Sequence, residues 1–302
     1  MILHLGYSKC MSTWLQSLFE QHPDISYAYR TNYFQLYNST FDKGLEWYRA
    51  QFIGKGRLFL ESDEHLLLPE IDQNLWMNKS NLAKVQEVLE NISASSFDSL
   101  KVIFVYRSQV DMILSRYIQF VRSGGKLNFN QFFDLTFRGE KYLDYFDYRF
   151  GKLHELMFDA FGSENVFSIN IDDFKLRKAN ILDELASFIG VPILDSSLPQ
   201  SAVNVSPSTA ALKMQLMLNK LMVARKKTHV ERAKTRFGYL AWKGPMKLIE
   251  MVDSRIIKDK KRYALMTDEQ IEEIKNTFAE DNKLLAAITS QDFKQYSTWL
   301  PK

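Results

Sequence analysis

The chain of 302 residues predicts an α/β fold, a three-layer arrangement with a central parallel sheet flanked by helices. Three observations predict it. Short apolar runs at residues 2–5, 57–60, 102–106 and 164–171 read as strands, and the run at 102–106 is β-branched and aromatic enough to be buried on both faces. Longer stretches with apolar residues at helical spacing stand between them. The resulting order β–loop–α, β, α, β–α, α, β, α is that of a parallel sheet with its crossovers on the faces.

Residues 2–5 form the first strand, residues 6–11 a tight loop, and Ser12 and Thr13 open an amphipathic helix through the run 14–19. A strand, a loop with one lysine and a helix N-terminus carrying hydroxyls make an anion site. The first-turn N–H groups have no helical partner, the helix dipole adds partial positive charge, and Lys9 adds a full one. Successive loop N–H groups can curl round a phosphate. An ordinary β–α turn with a surface lysine is the plainer alternative for this loop alone. His22-Pro23 ends the helix, and residues 25–29 are extended. Residues 33–52 hold seven aromatics (Tyr33, Phe34, Tyr37, Phe41, Trp47, Tyr48, Phe52) that suit core packing better than an acceptor pocket.

The strand at 57–60 runs into Glu61-Ser62-Asp63-Glu64-His65. The carboxyl end of a strand is where open α/β sheets place their sites. A hydroxyl acceptor needs a general base there, which Glu61, Glu64 or His65 can supply; a solvated loop capping the next helix is compatible with the same residues. Residues 78–89 show a helix face at Leu82, Val85, Val88 and Leu89. The strand at 102–106 ends at Arg107, followed by a helix over 110–121. Arg107 and Ser115, eight residues apart, can reach one phosphate, the guanidinium as a planar fork and the hydroxyl as one more donor. The alternative is an arginine cap and a serine bonded to its own backbone. Further on come aromatic helices at 129–137 and 142–161 and a helix at 181–191 closed by Gly190 and Pro192. An amphipathic helix follows at 209–223, and a last helix at 268–288 opens with a capping box, Thr267 and Gln270.

Composition is that of a soluble globular protein, with 46% hydrophobic and 25% charged residues. The single Cys10 excludes an internal disulfide and a cysteine-rich metal centre, and it suits a reducing compartment. No segment reads as a signal peptide or a membrane span. A strand starting at the second residue predicts a domain without a leader, hence a cytoplasmic location. Net charge is +3, but residues 213–262 carry fifteen Lys/Arg against four acids. That imbalance points to an anionic ligand, an anionic acceptor or a membrane surface. No metal-ligand cluster is visible.

Two motifs carry a family resemblance. Gly6-x-x-Lys9-x-x-Ser12-Thr13-x-Leu15 lacks both the G-x-x-x-x-G-K-[ST] and the G-x-G-x-x-G pattern. It resembles the 5′-phosphosulfate loop of the sulfotransferases that use PAPS (3′-phosphoadenosine 5′-phosphosulfate), roughly G-x-x-K-[SAC]-G-[ST]-[ST]-x-L. Met11 stands at the family's glycine. Arg107, Ser115 and Tyr117 resemble the family's 3′-phosphate motif, about R-[NDS]-P-x-x-x-x-x-S-x-Y, with Gln109 at the proline. Weaker echoes are Asp172-Asp173-Phe174, the helix at 181–191, Asn204-Val205-Ser206-Pro207, and a stretch at 238–244 that makes residues 232–243 a candidate lid.

The resemblance implies a P-loop-like core over residues 1–206 with a helical, basic extension over 207–302 packed on it. It implies PAPS as donor and PAP as product, with no metal. Lys9, Cys10, Met11, Ser12, Thr13 and Trp14 would surround the 5′ end, and Arg107 and Ser115 the 3′-phosphate. Lys9 would stabilise the leaving group, and family variants of the acidic stretch nominate Glu61, Glu64 and His65 in turn as base. The implied style is bacterial. The expected acceptor is a hydroxyl or amine on a carbohydrate, a lipid or a small molecule, and no nucleic-acid partner is expected. The rivals are another nucleotide-dependent phosphotransferase, using ATP and magnesium, and a non-catalytic protein that binds anions through its basic third.

Overall fold

The computed structural model describes residues 1–7, 10–29, 58–62, 70–72, 77–79, 82–93, 100–139, 148–199, 207–221 and 262–301. Strands β1 (Ile2–Gly6), β2 (Ile25–Tyr29) and β3 (Leu58–Ser62) join β6 (Lys101–Tyr106) and β7 (Val166–Asn170) in one sheet, while β4 (Glu70–Asp72) and β5 (Met77–Lys79) form a separate antiparallel pair. The five-stranded sheet has the order β2-β3-β1-β6-β7, and every pairing in it is parallel. Leu3, Leu5, Leu60 and the whole run 102–106 are buried, as strands covered on both faces must be.

From β1 the chain moves to one side of the sheet, to β2 and β3. From β6 it moves to the other, to β7. The crevice between the carboxyl ends of β1 and β6 is therefore the switch point at which such sheets bind ligands.

The helices are α1 (Ser12–Glu20), α2 (Leu82–Ser93), α3 (Gln109–Arg122), α4 (Phe129–Thr136), α5 (Phe150–Phe161), α6 (Ile171–Ile189), α7 (Thr209–Leu221) and α8 (Asp268–Thr289). Along β1, His4 faces Phe19 of α1. Trp14 of α1 meets Phe174 of α6 edge-on at 5.3 Å, so these two helices share a layer. On the opposite face His154 of α5 lies against Phe104 and Tyr106 of β6. Helix α8 packs on α5 so closely that a Cβ on Gly151 would stand 2.5 Å from the Asp281 carbonyl oxygen. The Asp281 carboxylate accepts from the Gly151 and Lys152 N–H groups, both at 2.9 Å, and so caps α5. The expected capping box of α8 is present, with Thr267 and Gln270 each bonding the other's backbone. No helix among the described residues is long and apolar enough to cross a membrane.

Three elements depart from the expectation. The helix foreseen from residue 78 starts at Leu82, because Met77–Lys79 pairs with Glu70–Asp72. Helix α7 buries Gln215 and Asn219 while Met214 and Met217 face outward, Met217 at 63% exposure. Both amides donate to the Val121 carbonyl in the last turn of α3, at 3.1 and 2.8 Å, and that carbonyl also accepts from the Gly124 N–H at 3.0 Å. In the stretch foreseen as a helix over 142–161, Tyr148 and Arg149 are not helical and the helix starts at Phe150. The aromatic stretch 33–52, residues 204–206 and the candidate lid 232–243 lie outside the described residues.

Gln109, at the family's proline, has a structural use. Ser108 caps α3, which leaves Gln109 at the first helical position, where proline is tolerated. Its side chain instead forms a reciprocal amide pair with Asn282 of α8, at 2.7 and 3.2 Å, and donates to the Tyr148 carbonyl at 3.1 Å. Asn282 also donates to the Trp299 carbonyl at 2.9 Å. Both side chains are buried. Gln109→Ala and Asn282→Ala are each expected to cost about 1–3 kcal/mol, since each strands a buried amide. The double variant should cost less than the sum, which a double-mutant cycle in urea reads directly; strict additivity would show that the pair contributes nothing as a pair.

Candidate functional site

The site begins where β1 ends. Tyr7 anchors the start of the loop, buried with its ring edge-on to Tyr148 at 5.2 Å. Met11 ends the loop as the residue preceding α1, at φ 58° and ψ 8°. That is the left-handed conformation, which costs an L-residue roughly 1–2 kcal/mol and glycine almost nothing. The loop thus keeps the backbone turn that a glycine would give, with a methionine in the position. Met11 offers no side-chain cap. Its carbonyl accepts from the Trp14 and Leu15 N–H groups at 3.0 and 3.2 Å. The first turn of α1 therefore opens into the loop with Ser12 buried and Thr13 exposed. Lys9 lies outside the described residues.

A β-branched residue cannot take this backbone without strain. Met11→Val is expected to destabilise the protein by about 2 kcal/mol. Met11→Gly is expected to stay within about 1 kcal/mol of wild type, because relief of the left-handed strain is offset by a more flexible unfolded chain. Thermal unfolding of the two variants checks the pair of values.

Cys10 joins the loop to the second motif. Fully buried, its thiol donates to the Met112 sulfur of α3 at 3.3 Å. Arg107, one residue beyond β6, is 7% exposed and pairs with the Asp111 carboxylate at 3.0 Å. Burial works against the guanidinium charge, but Asp111, with Cys10 and Asp172, outweighs it and holds the Arg107 pKa above the ordinary arginine value. Ser115 lies one turn beyond Asp111 and is buried. Asp111 and Ser115, four residues apart, share one side of α3, and the ion pair with Asp111 brings the Arg107 guanidinium to that side.

Other expected residues take different places. The Trp14 ring fills the gap between α1 and α6, with the Lys178 ammonium 4.9 Å from its centroid. Tyr117 packs against Phe129 and Phe132 and donates to the Leu127 carbonyl at 3.3 Å. Its place in the 3′-phosphate spacing is thus filled by a ring that packs α3 on α4. Glu61 lies inside β3 rather than beyond it, fully buried and in register with Leu3 of β1. Glu64 and His65 lie outside the described residues.

Ser62, also fully buried, points to the opposite face from Glu61. There its hydroxyl meets His4 Nδ1 at 2.8 Å and accepts from Gln16 Nε2 at 3.1 Å. Burial lowers the His4 pKa to about 4, so the ring is neutral at physiological pH.

Sequence reasoning missed Asp111, although its i+4 spacing from Arg107 was a usable signal. It also missed the C-terminal segment. Gln291 accepts from the Tyr106 hydroxyl at 3.0 Å and the Asn170 amide at 3.3 Å, and Trp299 Nε1 donates to Asp172 at 3.0 Å. These contacts hold the C-terminal segment against the carboxyl ends of β6 and β7. No group of His, Cys, Asp and Glu among the described residues could hold a metal ion.

The family described as "Sulfotransferase domain" matches residues 1–286. No curated protein matches the chain. Among solved structures the chain is similar to a sulfotransferase from Alicyclobacillus acidocaldarius, with 15% identity, 97% of each chain covered and a TM-score of 0.59. It is also similar to a mouse sulfotransferase complexed with PAP, with 16% identity over 96% of this chain and 88% of that one and a TM-score of 0.48. The Alicyclobacillus structure shares the fold described above, and the family match spans both motifs, all five strands of the sheet and most of α8. The chain belongs to the sulfotransferase-domain family.

Proposed function

We propose that this PAPS-dependent sulfotransferase moves the sulfuryl group to an acceptor hydroxyl across a two-part anion site at the β1–β6 switch point. The observation that carries the proposal is the side-by-side placement of the two motifs. Gly6 pairs with Val105 across the sheet, Cys10 touches Met112, and Arg107 stands charged at the adjoining strand end. A donor with phosphates at both its 5′ and 3′ ends needs two such sockets within one crevice.

The first turn of α1, with Ser12, Thr13 and the loop N–H groups, holds the 5′-phosphate end, and Lys9 stabilises the charge that grows there as the S–O bond breaks. Arg107 and Ser115 hold the 3′-phosphate, the fork of Arg107 giving it orientation as well as charge. Asp111 fixes Arg107 from the other side. Glu61 takes the acceptor proton as the acceptor oxygen bonds to sulfur in line with the leaving group. The acceptor is a hydroxyl-bearing small molecule or glycan. The lone, buried Cys10 suits a cytoplasmic setting.

Calorimetric titration with PAP tests the assignment. Wild type is expected to bind at micromolar levels, and Lys9→Ala and Arg107→Ala at least tenfold more weakly. Tighter binding of ATP with magnesium than of PAP would overturn the reading.

A further inference from the structure

Among the buried polar clusters that the mechanism leaves unused, one joins β1, β3 and α1. His4 and Ser62 are fully buried side by side on neighbouring strands, directly opposite each other in register. Gln16 reaches them from α1. We propose that the Ser62 hydroxyl is a positioning residue, a hub that holds the Glu61 strand end in place against both ends of the phosphosulfate loop. The proposal rests on the assignment of Glu61 made above.

The geometry is a triangle around one atom. His4 lies two residues before Gly6, so it marks the strand that enters the loop. Gln16 lies in the second turn of α1, so it marks the helix that leaves it. Both bond Ser62 Oγ, at 2.8 and 3.1 Å. Ser62 is the residue after Glu61, so the loop's two stems and the proposed base meet through a single hydroxyl. Backbone pairing fixes β1 against β3 by itself, but among the described residues no backbone hydrogen bond ties either strand to α1. The side-chain triangle supplies that third constraint. A hydroxyl has one proton and two lone pairs, and Gln16 Nε2 can only donate. Ser62 therefore accepts from Gln16 and bonds His4 in either sense, with its rotation fixed by both partners.

The cluster is a poor choice for stability alone. His4 Nε2 is buried with no hydrogen-bond partner among the described residues. An unpaired polar atom in the interior is costly, and an apolar side chain beside Phe19 would avoid the cost. What apolar packing does not supply is direction, since α1 could slide over β3 while keeping its contacts. A displacement of about 1 Å between reacting groups costs on the order of a hundredfold in rate.

The test measures PAP affinity by calorimetry, PAPS turnover with water as acceptor, and thermal unfolding to select a temperature at which every variant is folded. His4→Phe keeps a planar ring and loses the bond. His4→Asn keeps a polar atom near the Nδ1 position. His4→Phe and Ser62→Ala are expected to lower turnover at saturating PAPS at least tenfold, with PAP affinity within threefold of wild type. His4→Asn and Ser62→Thr are expected to recover turnover to within threefold. Wild-type turnover in Ser62→Ala overturns the hub, as does a parallel fall in turnover and PAP affinity, which marks general loosening. Glu61→Gln separates the two layers of the argument. If it turns over PAPS like wild type, the base assignment is wrong and the hub has nothing to position. If it is inactive while Ser62→Ala is unaffected, only the hub is wrong.

Discussion

Arg107→Ala is expected to weaken PAP binding by about a hundredfold and to lower folding stability by about 3 kcal/mol. The binding loss follows from removing a charge-assisted fork from the 3′-phosphate socket. The stability loss has a separate cause. Asp111, whose side chain is 3% exposed, would keep its charge in the interior with its partner gone. Breaking one side of a buried pair is more damaging than removing both sides. Arg107→Ala combined with Asp111→Ala should therefore regain most of the stability and none of the binding. Arg107→Lys should fall between, because an ammonium carries the charge without the planar fork. Urea unfolding and PAP calorimetry on the same preparations separate the two effects. A single alanine variant as stable as wild type would mean that Asp111 finds water, and that the pair is less enclosed than its exposure indicates.

Acid is expected to weaken the fold well before the carboxylates titrate. His4 and His154 are both buried, and burial lowers each pKa to about 4. His154 is held in the core by the Phe150 carbonyl and the Ser168 hydroxyl, both at 2.6 Å. In the unfolded chain each histidine takes up its proton near pH 6.5. Between pH 6.5 and about 4 the unfolded state therefore binds more protons than the folded one, so stability rises with pH across that window. It is unaffected by these groups above pH 6.5 and falls as the pH drops below it. At 1.36 kcal/mol per pH unit, each histidine removes about 2 kcal/mol by pH 5 and about 3 by pH 4. Against a total stability of about 5–15 kcal/mol this is a large share. Urea midpoints at pH 7 and pH 5 measure it, and His4→Asn should remove about half of the difference. Equal stability at the two pH values would show that neither ring is as dry as its surroundings imply.

What could be read from the residues alone, and what could not, divides along contact distance. The run 102–106 was legible because a strand buried on both faces has no polar alternation to obscure it. The two motifs of the proposed anion site could be picked out because each is local: the loop and the helix start are contiguous, and Arg107 and Ser115 sit on one strand–helix junction. Gln109 and Asn282 are 173 residues apart, and no local pattern joins them. Asp111 reads as an ordinary first-turn acid until the strand end is placed beside it. Gln215 and Asn219 mislead because helical periodicity assigns amides to water, whereas here both donate to a backbone carbonyl in the last turn of another helix. The pair β4 and β5 is too short for any periodicity to register. Tyr117 fits the 3′-phosphate motif by spacing and the core by packing, and only the structure separates these two uses.

The order in which the sheet is laid down has a consequence for how the protein is made. Of the five strands of the sheet, Ile2–Gly6 is synthesised earliest and stands in the middle. Its partner on one side begins only at Leu58, and its partner on the other only at Lys101. At about 5–20 residues per second, an apolar strand waits roughly 5–20 seconds for its second neighbour to be synthesised. Pairings this distant in sequence also close slowly once both partners exist. A nascent chain released near residue 100 already has β3 to pair with β1 but leaves the β6 edge of β1 open, and it is expected to aggregate or engage a chaperone, whereas one released past Asn170 carries all five strands of the sheet.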